Sequence, residues 1–334
     1  MKKIHIGIVS ILVLIFVVGG ILIYLSNSNV TGRVVINTPN KEISVGSVPV
    51  IEGVVLEIAK QNGYFEEQGL DVDIIYAKST KYLLPGLANG QLDMSIASIS
   101  AGTFNYLAED SNARIIVDVA KRKPGIIVRK DLSNKVKVME DLNEMRFATP
   151  RLGSASYYFL AKILENSNIN IEDFDMKSLK RQEAVTALVT KDLDAGIINE
   201  PFGTLAIEKN IGVFLDDKRI NSAFPESGQQ HSFLIATKEI TDDKDTLRKF
   251  RSAYRKAASF YNKAKSGSKP ERTRVIEIIF DYTDIDKDII NKSRWIYINN
   301  DAIPDKNQLE EIQDYWLRND LINQKIDLET VIVS

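Results

Sequence analysis

A glycine and two serines at a predicted helix start are the residues of this sequence best suited to binding an anion. Gly153, Ser154 and Ser156 open the run "GSASYYFLAKIL", whose apolar residues recur at helical spacing, so the helix is expected to begin near Ser154. The first N–H groups of a helix lack partners and carry partial positive charge, and glycine permits close approach. The stretch predicts an oxyanion cradle, with an ordinary serine N-cap as the alternative. The predicted buried face of the helix consists of Tyr157, Leu160, Ala161 and Leu164.

Further polar residues lie where predicted strands end, and in open α/β sheets ligands bind beyond the carboxyl ends of the strands. Ser98 and Ser100 could present hydroxyls there, or serve only as turn and cap. Asn199 is the better contact candidate, and Glu200 beside it is a second ligand-binding candidate that could instead only cap the next helix. His231 lies at the start of a predicted strand and is a further candidate, although a lone histidine is more typical of a structural role. The residues at strand ends are Pro49, Ser98, Pro150 and Asn199.

Strand and helix patterns alternate from residue 42 onward, which indicates parallel strands with helices on the faces of a sheet. The same order recurs 101 positions later, since Val48-Pro49 corresponds to Thr149-Pro150 and Leu92-Asp93 to Leu193-Asp194. This repeat predicts an α/β protein of two similar lobes, whose strand ends face each other across a cleft.

The lobes are expected to divide the chain unequally. Residues 42–128 with 233–334 form the first lobe and residues 129–232 the second. Strand-like stretches at 124–130 and 231–239 are expected to cross between them as a hinge. The helical patterns beyond residue 243 are expected to cover the first lobe and that hinge.

Composition excludes several classes of chemistry. The chain of 334 residues contains no cysteine, so thiolate metal sites, disulfides and cysteine nucleophiles are ruled out. Two histidines are too few for a histidine-rich metal site, and no metal or cofactor is expected. A net charge of -2 argues against nucleic-acid binding. The basic run "KRK" at 121–123 is interpreted as a surface turn.

The N-terminal region indicates export. Lys2 and Lys3 precede an apolar segment, residues 6–25, whose helical length of about 30 Å matches the hydrocarbon core of a bilayer. Positive charge before this segment predicts that the rest of the chain is extracytoplasmic. An uncleaved signal anchor is favoured over a signal peptide, with residues 26–41 as a polar tether.

Several stretches together resemble the periplasmic-type solute-binding proteins of ABC importers, in the branch for nitrate, alkanesulfonates, taurine and thiamine-precursor pyrimidines. The stretches are "IAKQNGYFEEQGLDVDII" (58–75), "LANGQLDMSIAS" (87–98), "FATPRLGSASYYFLAKIL" (147–164), "LVTKDLDAGIINEPF" (188–202) and "YWLRNDLINQKIDLETVIV" (315–333). The resemblance implies a two-lobed type II periplasmic-binding-protein fold, in which each lobe is a mixed, mostly parallel sheet flanked by helices. Such a fold captures a small anionic or polar solute between its lobes. It also implies delivery to a permease powered by a separate ATPase, without catalysis.

The resemblance assigns contacts by motif position. The residues that it implies line the cleft are Pro49, Ser98, Ser100, Gly153, Ser154, Ser156, Asn199 and His231. The expected partners are the solute, the permease with its ATPase, and the membrane through residues 6–25; the protein is expected to be monomeric and not to bind nucleic acid. Two alternatives remain open: an enzyme of the same fold that resembles thiamine-pyrimidine synthase, and a membrane-anchored sensor or docking module.

Overall fold

The computed structural model describes residues 40–78, 80–109, 112–149, 151–179 and 181–333. The predicted apolar segment, and the tether up to residue 39, lie outside these ranges. Among the residues that the structure describes, no helix combines the length and apolar character needed to cross a bilayer.

The described strands form two sheets of five. The strands are β1 (Lys41–Ser47), β2 (Leu70–Tyr76), β3 (Met94–Ser98), β4 (Arg114–Arg122), β5 (Ile126–Arg129), β6 (Arg146–Thr149), β7 (Asp175–Ser178), β8 (Ala195–Ile197), β9 (Gly212–Phe214) and β10 (Gln229–Ala236).

Helices connect these strands and continue to the C-terminus. The helices are α1 (Val54–Gln61), α2 (Leu83–Ala88), α3 (Ala101–Glu109), α4 (Ala155–Asn166), α5 (Arg181–Val189), α6 (Phe202–Glu208), α7 (Lys218–Ser222), α8 (Lys238–Asp242), α9 (Lys244–Lys265), α10 (Lys269–Thr283), α11 (Lys287–Lys292), α12 (Lys306–Arg318) and α13 (Leu328–Val331). A short 3-10 turn, Ile51–Gly53, leads into α1.

The two sheets have the same topology, in agreement with the predicted repeat. Their strand orders are β2-β1-β3-β10-β4 and β7-β6-β8-β5-β9. In each sheet the first three strands are parallel and the last two pairings are antiparallel. Each sheet is therefore mixed, as expected from the sequence, and the carboxyl ends of its parallel strands lie at one edge.

An aspartate repeated in both lobes joins two neighbouring parallel strands, β3 to β1 in the first lobe and β8 to β6 in the second. The Asp93 carboxylate accepts hydrogen bonds from the Ser44 backbone N–H and hydroxyl, both at 2.8 Å. At the equivalent place in the second sheet, the Asp194 carboxylate accepts from the Arg146 backbone N–H at 3.1 Å and from the side chains of Arg146 and Arg129. The repeated Leu-Asp pair thus has a structural role in fixing strand register.

The chain crosses between the sheets slightly earlier than the proposed lobe boundaries. Residues 123–125 connect β4 of the first sheet to β5 of the second, and the return precedes β10. Strand β5 pairs in the second sheet from Ile126, three residues before the expected start of the second lobe. Strand β10 pairs in the first sheet from Gln229, four residues before the expected return at residue 233. The division of the whole chain into lobes stays a prediction.

Helix α4 is buried more widely than its apolar spacing indicates. Tyr157, placed on the predicted buried face, is partly exposed, whereas Tyr158 and Phe159 are fully buried. The Tyr158 ring packs edge-on against Tyr315 of α12 with centroids 5.2 Å apart, and Phe159 packs against Phe224 at 5.6 Å. A second side of α4 is therefore buried by segments that are distant in the sequence, namely α12 and the stretch around Phe224. The other three residues of the predicted face are buried.

The C-terminal helices contact both lobes rather than the first lobe alone. Helix α9 packs on α1 of the first lobe, where the rings of Phe65 and Phe250 stack with centroids 5.2 Å apart. Helix α12 lies between the lobes, because Trp316 packs edge-on against Phe104 of α3 while Lys162 of α4 forms an ion pair with Glu311 at 2.5 Å. The C-terminal part of the chain therefore joins the two halves.

We expect Asp194→Asn to lower the free energy of unfolding by about 1–3 kcal/mol at pH 7, because hydrogen bonds to a charged acceptor are lost. Hydrogen bonds from Arg146 hold the pKa of the Asp194 carboxyl below its usual range. A lowered folded-state pKa means that this stabilisation is present above the unfolded pKa and is lost as the pH falls. Urea denaturation at pH 7 and below pH 4 measures both effects.

Asp173→Asn is the matched control, since Asp173 is an exposed aspartate of the second lobe. Its effect should be within about 0.5 kcal/mol. An Asp194→Asn loss that is equally small, or that does not shrink in acid, would contradict the proposed role.

Candidate ligand-binding site

The predicted anion cradle forms the edge at which the two lobes meet. Ser154 is the N-cap of α4, and its hydroxyl accepts from the Tyr157 N–H at 3.3 Å. Gly153 has φ of +76°, a left-handed conformation that favours glycine. Its carbonyl accepts from the Ala101 N–H of the first lobe at 2.8 Å, and Ser154 forms a β-bridge with Ser100. The close approach that this glycine permits is to the opposite lobe.

The candidates of the first lobe lie around the same edge. The Ser100 hydroxyl accepts from the Thr103 N–H at 3.2 Å, so it caps α3. Ser98 is half-buried at the end of β3, and its carbonyl accepts from the Thr103 hydroxyl at 2.9 Å. Pro49 lies in an exposed bend after β1. Ser98 and Ser100 therefore lie at the lobe junction, and Pro49 is the most exposed of these three candidates.

In the second lobe, Asn199 and Ser156 are brought together. Both side chains are buried, and the Asn199 amide donates to the Ser156 hydroxyl at 2.9 Å. Glu200 has the capping role considered from its sequence position, because its carboxylate accepts from the Thr204 N–H at 3.0 Å. The same carboxylate forms an ion pair with Arg294 at 3.1 Å.

A buried ion pair lies next to these residues. The carboxylate of Glu52, in the turn that follows β1, contacts the Arg122 guanidinium at 2.7 Å, and the two side chains are only 5% and 7% exposed. The His231 imidazole lies 3.5 Å from the same carboxylate and packs against the Phe159 ring. A second nitrogen of Arg122 lies 3.5 Å from the Glu200 carbonyl of the second lobe.

We call Glu52, Arg122, Ser156, Asn199 and His231 the polar cluster. Its members are all buried and come from both lobes, with Arg122 just before one crossing between the sheets and His231 just after the other. Hydroxyl, amide, imidazole, carboxylate and guanidinium groups provide hydrogen-bond donors and acceptors for a polar solute. The cluster thus combines the chemistry of a binding site with burial at the lobe junction.

Two members of the cluster were not found from the sequence. The interpretation of "KRK" as a surface turn was wrong for Arg122, which is 6% exposed, and for Lys121, which is 9% exposed. Both lie at the end of β4, where pairing with β10 and packing of the C-terminal segment cover them. Glu52 had a signal, because it is a single charge inside the apolar stretch "VPVIEGVVL". A charge at such a position needs a partner or a function.

A chamber of about 370 Å³ adjoins the polar cluster, which shares Arg122 and Asn199 with it. Its walls are residues 122–125, 198–200 and 294–297, with Asn221 and Lys265. Burial lowers the pKa of the Lys265 ammonium to about 8. The chamber was not predicted, because it depends on the C-terminal segment lying against the hinge. Within the described ranges, no three acidic or histidine side chains are grouped so as to hold a metal ion.

The fold is that of two-lobed periplasmic binding proteins, and solved structures share it. The aliphatic sulphonate binding protein SsuA from Escherichia coli matches with a TM-score of 0.71 and 16% identity, over 87% of this chain and 97% of that one. The alkanesulfonate-binding protein SsuA from Xanthomonas axonopodis pv. citri, bound to MOPS, has a TM-score of 0.66 and 14% identity, over 89% and 99%. The nitrate-binding protein NrtA from Synechocystis PCC 6803 has a TM-score of 0.64 and 11% identity, over 88% and 86%.

Comparison of the sequence with family models identifies the family, which the fold alone does not. The sequence model of the NMT1-like family matches residues 37–278, which is more than half of the chain. The chain belongs to the NMT1-like family. A comparison with curated proteins found no match.

We expect Glu52→Gln to lower the free energy of unfolding by about 3–5 kcal/mol, because Arg122 would remain buried without a compensating charge. Adding Arg122→Met should restore part of the loss, since the double variant buries no uncompensated guanidinium. Urea denaturation of the two single variants and the double variant gives the coupling energy. The control is Glu66→Gln at an exposed site of the same lobe. Additive effects of the two substitutions would contradict the importance of the pair.

Proposed function

We propose that this protein is the extracytoplasmic solute-binding component of an ABC importer and captures a small polar or anionic solute between its lobes. The observation that carries this proposal is the polar cluster, five buried side chains at the junction of two sheets with equivalent topology. Such a junction, beyond the carboxyl ends of parallel strands, is the usual ligand position in α/β folds. The solute-binding proteins that share the fold support the same conclusion.

Within this proposal, the predicted site residues have different roles. Asn199, Ser156 and His231 bind the solute through hydrogen bonds. Gly153 and Ser154 close against the first lobe beside Ser98 and Ser100. Pro49 and Glu200 support the loops on either side, because the bend and the cap that they form determine the course of the chain.

The expected partners follow from this role. A permease and its ATPase receive the solute, while the N-terminal segment keeps the monomeric binder at the outer face of the cell membrane. No chemical step is part of this function, so the solute should be recovered unchanged after binding. Conversion of the solute would instead favour the alternative of an enzyme with this fold.

Ligand binding should raise the unfolding temperature, by a stabilisation of about 2.7 kcal/mol at a ligand concentration one hundred times the dissociation constant. A thermal-shift screen with MOPS, taurine, nitrate and pyrimidines, followed by calorimetry, identifies the ligand. Asn199→Leu should remove the shift, because its amide binds the solute. Asn143→Leu, at an exposed site of the second lobe, is the control. A screen with no stabilising solute would overturn the proposal.

Solute binding should also shorten the mean distance between the lobes and narrow the distribution of distances, because the closed arrangement pairs Gly153 with Ala101. The absence of native cysteine allows spin labels at Tyr82→Cys and Val189→Cys, both exposed and in different lobes. Double electron–electron resonance measures the distance between the two spin labels. A pair within the second lobe, Val138→Cys with Val189→Cys, should not change. An unchanged interlobe distance at saturation contradicts closure.

A further inference from the structure

The chamber beside the polar cluster contains more positive than negative charge. Its lining includes four cationic side chains, Arg122, Lys123, Lys265 and Arg294, and one carboxylate, that of Glu200. Glu200 is already engaged by the Arg294 guanidinium, which also stacks over the Phe214 ring at 3.6 Å. The Lys123 ammonium lies 3.6 Å from the carboxylate of Glu226, whose side chain is fully exposed. A surplus of cations in a concave site favours an anion.

Lys265 is the cation least compensated by its surroundings. Its ammonium donates to the Ile296 carbonyl at 3.1 Å and lies 3.5 Å from the centroid of the Tyr297 ring. Among the described residues no carboxylate acts on this ammonium, and burial alone shifts its pKa. Burial lowers the pKa of Lys265 to about 8, because the surrounding protein solvates the charged ammonium poorly. An anion within hydrogen-bond distance would stabilise the charged form.

Arg122 supplies a second, independent indication of a ligand. Its side chain is buried and lines the chamber, and one terminal nitrogen is engaged by Glu52. Its Nε has no hydrogen-bond partner among the residues that the structure describes. Arg122 is thus a buried cation at the wall of the chamber with one N–H that the protein does not use, which is an unusual state for a buried polar group.

The remaining walls determine what kind of anion fits. Trp295 and Tyr297 provide aromatic surface, and Ile198 and Pro124 provide apolar surface. A volume of about 370 Å³ is at the small end of the range for ligand pockets. A simple inorganic ion would contact the cations but not the aromatic walls, where Trp295 is already packed by Arg272 and Tyr261. A flat apolar body that carries an acidic group uses both.

The geometry points to a subsite for the carboxylate or sulfonate of a small aromatic or apolar organic anion, bound by Lys265 and Arg122 against Trp295. This inference rests on the proposed solute-binding function and names the class of solute. The polar groups of the same solute would reach Asn199, which borders both the chamber and the polar cluster.

The test uses the full-length chain in mild detergent and two matched probes, 4-nitrobenzoate and its neutral isostere 4-nitrobenzamide. Calorimetry should show at least about tenfold tighter binding of the anion, because a charge-assisted hydrogen bond is worth more than a neutral one. Trp295 and Trp316 are the two tryptophans of the chain, and Trp316 is fully buried. The nitro group should therefore quench Trp295 selectively, and Trp295→Phe should remove the saturable quenching.

Substitutions at two lysines of α9 distinguish binding at the subsite from a general effect of positive charge. Lys265→Gln should weaken 4-nitrobenzoate about tenfold or more and leave 4-nitrobenzamide unchanged, whereas Lys265→Arg should retain most of the affinity. Lys263→Gln is the matched control, because Lys263 is an exposed lysine two positions earlier on α9. Its affinity for both probes should equal that of the unmodified chain.

Three results would each overturn the subsite: equal affinities for the two probes, unchanged affinity after Lys265→Gln, or saturable quenching that persists after Trp295→Phe. The proposed solute-binding function fails differently. If another solute binds in an Asn199-dependent manner while 4-nitrobenzoate does not, the function stands and the subsite is wrong. If no solute of any class binds, both are wrong.

Discussion

The ion pair between Glu52 and Arg122 is the interaction on which the arrangement of the site depends. Both side chains are almost inaccessible to water. If the two charges were separated, each would remain buried without the opposite charge that compensates for its lost hydration. Arg122 is the last residue of β4, where the chain leaves the first sheet, and Glu52 belongs to the turn after β1. The pair therefore fixes the hinge against the first lobe, while the contact of Arg122 with the Glu200 carbonyl extends the same constraint to the second lobe.

The equivalent construction of the two sheets explains why the candidate residues converge. Asp93 fixes β3 against β1 and Asp194 fixes β8 against β6, so the ends of β3 and β8 lie in matching positions. Ser98 is the last residue of β3 in the first lobe, and Asn199 follows β8 in the second. Two similar sheets that meet at their strand ends place polar loops face to face, and a cleft between them is the geometric result.

The stretch around Gly153 shows how one local structure suits two roles. A left-handed glycine before a helix has no Cβ to obstruct an approaching group, whether that group is an anion or the backbone of another lobe. Here Ala101 occupies that position, and a Cβ on Gly153 would lie 3.2 Å from the Ala101 Cβ. The charge surplus is found instead around Lys265, 112 positions further along the chain.

The sequence by itself determined what depends on local order and periodicity: the mixed α/β sheets, their repeat and the start of α4 at Ser154. Even the repeat shows a small irregularity, because Phe147 lies 102 positions after its equivalent Val45, whereas Ala195 lies 101 after Met94. Only the tertiary structure decided the partners of Glu52 and Arg122, the burial of Tyr158 and the walls of the chamber. These depend on contacts between segments far apart in the chain, and spacing along a sequence carries no information about which distant charge or ring will meet another.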